Sequence, residues 1–197
     1  MNKLTKIDGK RCSVCSRPQE TEQVCFDCER WETSEAWRGV LIKNHSIFEY
    51  TDFMKEVLAA FKFRGDAELV KIFKEEMRAV YQKQFSAEID GIVPIPLSAD
   101  RLYERGFNQA RLLAEQLPIP TKDLLQRTHH EKQSKKSRQE RLQSSNVFTT
   151  ESATEILEKN ILLVDDIYTT GTTLRHAAKV LLNNGAAKVS SLTLIRG

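Results

Sequence analysis

Four aliphatic residues without a polar interruption, Ile161-Leu162-Leu163-Val164, run straight into two acids, Asp165 and Asp166. After Ile167 and Tyr168 comes a threonine-rich turn, Thr169-Thr170-Gly171-Thr172-Thr173. An apolar run with no alternation reads as a parallel strand covered on both faces. A helix follows, with Leu174, Ala177, Ala178, Leu181 and Leu182 on one face; Gly185 ends it, and residues 189–195 read as a further strand. Strand, helix and strand in that order predict an α/β sheet with right-handed crossovers. The acids stand at the carboxyl end of their strand, where open α/β sheets bind ligands. Gly171 lets the backbone come close or take a positive φ, so the loop amides and threonine hydroxyls can surround a phosphate at a helix start. Asp165 and Asp166 offer acceptors, which sugar hydroxyls need. A turn with an N-cap would account for any one of these residues, but not for the whole set.

This stretch resembles the signature of the type I phosphoribosyltransferases. The resemblance implies that Asp165 and Asp166 hold the ribose hydroxyls of a phosphoribosyl diphosphate. It also implies that Thr169, Thr170, Gly171, Thr172 and Thr173 hold its 5-phosphate, with Mg²⁺ on the diphosphate. An earlier segment, from Val93 and Pro94 through Ser98, Arg101 and Arg105 to Gly106 and Asn108, is a second loop after a strand. Its arginines are planar donors suited to phosphate, and equally suited to a solvated turn. The resemblance places the diphosphate loop at residues 94–98, between Pro94 and Ser98, with Arg105 as its guanidinium.

The middle of the chain reads as helix, helix, strand, loop and helix. Phe53, Val57, Leu58 and Phe61 fall on one helical face, and Gly65 breaks the pattern. Asp66 is a candidate N-cap for a second helix with Leu69, Ile72, Phe73, Met77 and Tyr81 on one stripe. Residues 89–96 are apolar, β-branched and closed by prolines, a buried strand leading into a loop. Asn108 should cap a helix carrying Ala110, Leu113, Ala114 and Leu117. Between residues 127 and 141 the chain turns polar and positive. Arg127, Lys132, Lys135, Lys136, Arg138 and Arg141 stand there against Glu131 and Glu140. Such a segment can close over an anion, lie along a nucleic-acid backbone, or simply be a solvated surface loop. In phosphoribosyltransferases a mobile loop at this point covers the site. His129 and His130 read as solvated, and no internal repeat is visible.

All four cysteines lie in one stretch, Cys12-x₂-Cys15-x₉-Cys25-x₂-Cys28. Two Cys-x-x-Cys knuckles offer four thiolates to one tetrahedral ion and fit a closed, structural zinc site; a redox pair would leave the second knuckle unexplained. The segment around them has too few aliphatic residues to fold alone. Lys10, Arg11 and Arg17 beside it are candidates to touch nucleic acid or a partner. The N-terminus lacks a secretory pattern, and no apolar run is long enough to span a bilayer, so a cytosolic chain is expected. The formal net charge of +3 on 197 residues is too small to argue for a nucleic-acid partner by itself.

Taken in order, the Cys₄ stretch, Phe61-Lys62-Phe63-Arg64-Gly65-Asp66, the Val93–Pro96 loop, Arg105-Gly106-Phe107-Asn108-Gln109 and the Asp165–Thr173 run resemble the ComF family of competence proteins, ComFC type. The resemblance implies a zinc finger over residues 1–44 and, over residues 45–197, a type I phosphoribosyltransferase-like parallel sheet flanked by helices. It implies a role in natural transformation: handling single-stranded DNA in the cytoplasm, at the inner face of the membrane with the uptake machinery, beside a ComFA-type DNA helicase. The chain departs from the family after the basic loop, where Leu-Gln-Ser-Ser separates Arg141 from Asn146. Two functions follow. One is a DNA-uptake factor that retains phosphoribosyl diphosphate binding; the other is an active transferase acting on an unidentified acceptor, for which no pocket is legible.

Overall fold

In the computed structural model, residues 4–63, 66–127, 147–151 and 153–197 are described. The elements in chain order are α1 (Phe26–Glu32), β1 (Asn44–Glu49), α2 (Asp52–Phe63), a 3-10 helix (Ala67–Phe73), α3 (Lys74–Gln84), β2 (Gly91–Pro94), α4 (Ala99–Arg105) and α5 (Gln109–Ala114). After them come β3 (Gln126–Arg127), β4 (Phe148–Thr149), α6 (Ala153–Ile156), β5 (Asn160–Tyr168), α7 (Thr172–Asn183) and β6 (Lys188–Arg196). One parallel sheet runs in the order β1-β6-β5-β2; β3 and β4 form a separate antiparallel pair.

The uninterrupted apolar character of β5 has the expected cause. Ile161 and Leu163 pack on one side with Ala177, Ala178 and Leu181 of α7, while Leu162 and Val164 pack on the other with Leu58, Phe61, Phe73 and Met77. Both faces are therefore dry, as a doubly covered parallel strand requires. The four cysteines belong to the α7 side of this core. The sheet edges are covered too. Ile7 N donates to Ile47 O (2.9 Å) and Glu49 N to Thr5 O (2.9 Å) along β1, and Lys122 N donates to Ile92 O (2.8 Å) along β2. Such contacts occupy backbone groups that would otherwise invite pairing with another chain.

Four differences from the sequence reading have physical reasons. First, β1 was not anticipated: Asn-His-Ser-Ile-Phe-Glu lacks the apolar run of β5, because its early positions bury polar side chains. Second, the stripe from Leu69 to Tyr81 is not one helix. It starts as a 3-10 helix burying Val70 and Phe73, and then continues as α3 burying Met77 and Tyr81. Three-residue spacing in the first part leaves Ile72 half exposed, and the Asp66 side chain caps nothing. Third, β5 does not stop at Val164; β6 accompanies it to Tyr168, so both acids sit inside the ladder, with Asp165 opposite Thr193. Fourth, the segment after β2 is not all loop. Ser98 caps α4, accepting from Arg101 N, and Gly106 (φ 77°) ends it. The Asn108 cap is present as expected, its side chain accepting from Ala110 N and Arg111 N. Gly65 lies outside the described residues.

A buried polar cluster ties the cysteine segment to the sheet. Asn44 Oδ1 accepts from Ser191 Oγ (2.8 Å) and Thr193 Oγ1 (3.3 Å), and Asn44 Nδ2 donates to Ser46 Oγ (2.8 Å). On the other side Ser16 Oγ donates to Asn44 O (2.9 Å), and Asn44 N donates to Val14 O (2.6 Å). Buried hydroxyls that lose a partner keep their desolvation penalty. Asn44→Ala is therefore expected to cost about 2–4 kcal/mol in urea unfolding, clearly more than Ser191→Ala, which removes one bond of about 1 kcal/mol.

Candidate functional site

At the carboxyl edge of the sheet a cavity of about 200 Å³ opens beside β5. Asp165 and Asp166 face it from the strand, and Thr173 from the first turn of α7. Arg101 and Arg105 come from α4, Arg127 from β3, and Lys62 from the end of α2. Four segments distant in sequence thus place four cations and two acids around one hollow. Lys62 Nζ pairs with Asp166 Oδ2, and both side chains are largely buried. Arg105 Nη1 donates to Gln109 Oε1 (2.9 Å), and Gln109 itself is buried, its Nε2 without a hydrogen-bond partner among the described residues.

The electrostatics of the two acids are unequal. Burial, and next the adjacent Asp166 charge, push the Asp165 carboxyl up to about 8, so it is protonated over much of the neutral range. Asp166 N donates to Asp165 Oδ1 (2.9 Å), which opposes the rise without cancelling it. Burial and then the charge of Arg101 lower Arg127, although a guanidinium stays cationic.

The threonine loop is built around Gly171. Its φ is 78°, and a Cβ there would lie 2.2 Å from Tyr168 Oη and 2.3 Å from Arg175 Nη1. The loop can turn into α7 only because that side chain is missing. Arg175 is fully buried and donates from Nη1 to Tyr168 Oη (2.7 Å), with its guanidinium 4.8 Å from the centre of the Trp31 ring. Trp31 Nε1 in turn donates to Thr170 O (3.1 Å). The cysteine segment therefore touches the loop directly. Thr170 Oγ1 and Thr172 Oγ1 lie 2.8 Å apart, and Thr169, Gly171, Thr172 and Thr173 enclose a small hollow next to Asp165.

The four cysteine sulfurs all lie within 4.8 Å of one another and are buried. Cys15 Sγ and Cys25 Sγ are 3.7 Å apart. Tetrahedral thiolate ligation at a metal–sulfur length of about 2.3 Å places sulfurs about 3.8 Å apart, so the set can hold a metal ion such as zinc. Arg196 Nη2 approaches Cys15 Sγ at 3.8 Å, and Cys25 N donates to Cys12 Sγ at 3.3 Å. The Cys28 hydrogen bond, assisted by Arg196, pushes the Cys15 thiol down to about 4. Arg17, weighed from sequence as a nucleic-acid contact, is paired with Asp27 across the two knuckles.

The cavity thus gathers Asp165, Asp166, Thr173, Arg105 and Arg127 from the residues the sequence singled out. Pro94 ends β2 in register with Val164, and Ser98 caps α4; this loop reaches the cavity through Ile95, Pro96 and Leu97 instead. Lys135, Lys136, Arg138 and Arg141 lie outside the described residues, as do His129 and His130. Sequence reasoning gave no role to Lys62, Gln109 or Arg175. Lys62 had a signal, since it is a cation set between two phenylalanines, Phe61 and Phe63. The other two had none, because burial of a Gln or Arg depends on tertiary packing.

Comparison with known proteins is consistent along the whole chain. The family model of the phosphoribosyl transferase domain matches residues 72–197. Competence protein ComFC of Bacillus subtilis (strain 168) is 49% identical over 99% of this chain and 81% of its own length. Competence protein ComFC of Streptococcus pneumoniae (strain ATCC BAA-255 / R6) is 36% identical over 97% of this chain and 83% of its own. DNA utilization protein YhgH of Escherichia coli (strain K12) is 27% identical over 94% and 89% respectively.

Two outcomes follow from this geometry. Gly171→Ala combines positive-φ strain with displacement of Tyr168 and Arg175, and is expected to cost about 2–4 kcal/mol in urea unfolding. Gly106→Ala also has a positive φ (77°), but its Cβ meets nothing within 4 Å, so about 1 kcal/mol is expected. For Asp165, the carboxyl titrates near 4 when unfolded and near 8 when folded. Its favourable contribution is whole below about pH 4 and is lost as pH rises through about 8. Melting curves should therefore show Asp165→Asn gaining on the parent from pH 5 to pH 8, by on the order of 2 kcal/mol after allowance for screening. A constant difference across that range would refute the assignment.

Proposed function

The chain belongs to the ComFC family of competence proteins, and from that premise we propose that it serves competence and DNA uptake by binding phosphoribosyl diphosphate at the carboxyl edge of its sheet. The observation that carries the ligand reading is the cavity itself. Two acids stand beside a threonine loop, and four cations surround them, at the end of a parallel strand. A phosphorylated sugar with vicinal hydroxyls and a diphosphate uses all three sets of groups.

Asp165 and Asp166 take the ribose hydroxyls. Either protonation state of Asp165 serves, since a carboxylic acid both donates and accepts. Thr169, Thr170, Gly171, Thr172 and Thr173 hold the 5-phosphate through hydroxyls and amides at the start of α7. Arg105, with Arg101 and Arg127, meets the diphosphate, and the backbone of residues 94–98 shapes the wall there. Mg²⁺ arriving with the ligand would supply charge neutralisation for the diphosphate. Lys62 holds Asp166 until the ligand arrives.

Residues 1–44 act as a zinc module whose role is structural: four thiolates leave no open coordination position. Residues 45–197 carry the ligand site. Single-stranded DNA and a ComFA-type helicase are the partners, and the place of work is the cytoplasm, at the inner face of the membrane. The names of relatives, competence protein and DNA utilization protein, support the DNA side of this reading. No helix among the described residues is long and apolar enough to cross a membrane.

Calorimetric titration with phosphoribosyl diphosphate and Mg²⁺ tests the site. Saturable binding is expected for the intact protein, weakened about 100-fold or more in an Asp165→Ala, Asp166→Ala double variant, as loss of two or more charge-assisted hydrogen bonds implies. No heat of binding to a well-folded parent would remove the ligand assignment and leave a DNA-handling protein on the same fold.

A further inference from the structure

A second cavity, of about 430 Å³, lies away from the carboxyl edge, between the N-terminal arm, the first cysteine knuckle, the start of β1 and α3. It is about twice the volume of the cavity beside β5 and shares no wall residue with it. Arg11 reaches it from the knuckle, Lys43 from the residue before β1, and Lys83 from the last turn of α3. His45, partly buried, stands among them. Of the remaining charges on the wall, Lys6 is paired with Glu76 (2.6 Å), and Asp8 is the other acid. Lys43 Nζ donates to Gln84 O (3.1 Å) and sits 5.0 Å from the centre of the Phe85 ring. Arg11 and Lys83 make no ion pair among the described residues. The rest of the wall includes the buried aliphatic side chains of Ile7 and Ile47 and the half-buried Val80.

Cations gathered from three elements into one hollow repel each other, and an anion that enters relieves that repulsion. The effect already registers on His45. Burial first, and then the charges of Arg11, Lys43 and Lys83, hold its imidazole down at about 4. At neutral pH His45 is therefore uncharged, with one ring nitrogen free to accept and one to donate. The size and lining of the hollow narrow the ligand further. Inorganic diphosphate would fill only part of a hollow of about 430 Å³, whereas pockets of about 300–1,000 Å³ suit a ligand with an organic body. A nucleic-acid strand needs phosphate contacts laid out along an open track, whereas these cations share the wall of one hollow with His45.

We propose that this cavity binds a small phosphorylated organic anion of the nucleotide class, with its phosphates against Arg11, Lys43 and Lys83 and its ring against Ile7, Ile47 and Val80. The ligand would rest beside Cys12 and Ser13, in contact with the cysteine knuckle. This site is independent of the one at the carboxyl edge.

The test is histidine-labelled NMR of the full chain titrated with ADP, the His45 signal being assigned by its loss in His45→Gln. ADP should move that signal saturably and raise its titration midpoint, because the bound phosphates offset the three cations. Diphosphate should do so more weakly, and adenosine not at all. An Arg11→Gln, Lys83→Gln variant, which changes two surface-facing cations and no core packing, should weaken ADP by about tenfold or more. The Asp165→Ala, Asp166→Ala variant should leave the response intact. The proposal is overturned if ADP at millimolar concentration leaves His45 unmoved, or if the response vanishes in the aspartate variant. It is equally overturned if diphosphate binds as tightly as ADP, or if only a single-stranded oligonucleotide moves the signal.

Discussion

The side chain of Arg175 has no solvent exposure, yet it carries a charge. Burying it is costly unless its surroundings supply compensation. Partial compensation comes from both parts of the molecule, while Nε and Nη2 find no hydrogen-bond partner among the described residues. The Tyr168 hydroxyl at the end of β5 accepts its hydrogen bond, and the face of Trp31, in α1 of the cysteine segment, lies under the guanidinium. The space that Arg175 and Tyr168 occupy is the space a Cβ on residue 171 would need. One buried cation thus fixes the threonine loop, the start of α7 and the docking of the cysteine segment together. Arg196 repeats the arrangement one strand over, with Nη1 on Tyr168 O (3.2 Å) and Nη2 toward Cys15 Sγ. A divalent ion held by the four thiolates would leave two net negative charges, and the buried Arg196 guanidinium beside Cys15 would offset part of them.

What could be read from sequence follows from how local each signal is. The β5 run, the α7 face, the Asn108 cap and the paired cysteines are all decided within a few residues, and the structure has each of them. Strand β1 was invisible because its buried positions include Asn44 and Ser46. Their partners, Ser191 and Thr193, lie about 150 residues away, so the segment is apolar only in company. The stripe from Leu69 to Tyr81 is ambiguous for a subtler reason. A stripe of apolar residues fits both 3.0 and 3.6 residues per turn over so short a span, and only tertiary packing chose the first for Ala67–Phe73. At the candidate site, the acids and threonines announce themselves by type, whereas Lys62 and Gln109 matter because α2 ends and α5 begins beside the cavity.

The charge balance of that site bears on what it can hold. Four cations, Lys62, Arg101, Arg105 and Arg127, face two acids, one of which keeps its proton up to about pH 8. Near neutral pH the hollow is thus strongly positive, and a cation alone is a poor guest there. A polyanion is a good one, and it changes the site on arrival. Phosphate charge near Lys62 competes with Asp166 for the ammonium, while the positive groups drawn around the ligand favour ionised carboxyls. With the proposed sugar diphosphate bound, Asp166 would be released toward the sugar as Lys62 turned to phosphate. The Lys62–Asp166 pair keeps a largely buried acid and a largely buried amine mutually satisfied. Neither has to be left unpaired for the site to be ready, which would cost far more than the exchange.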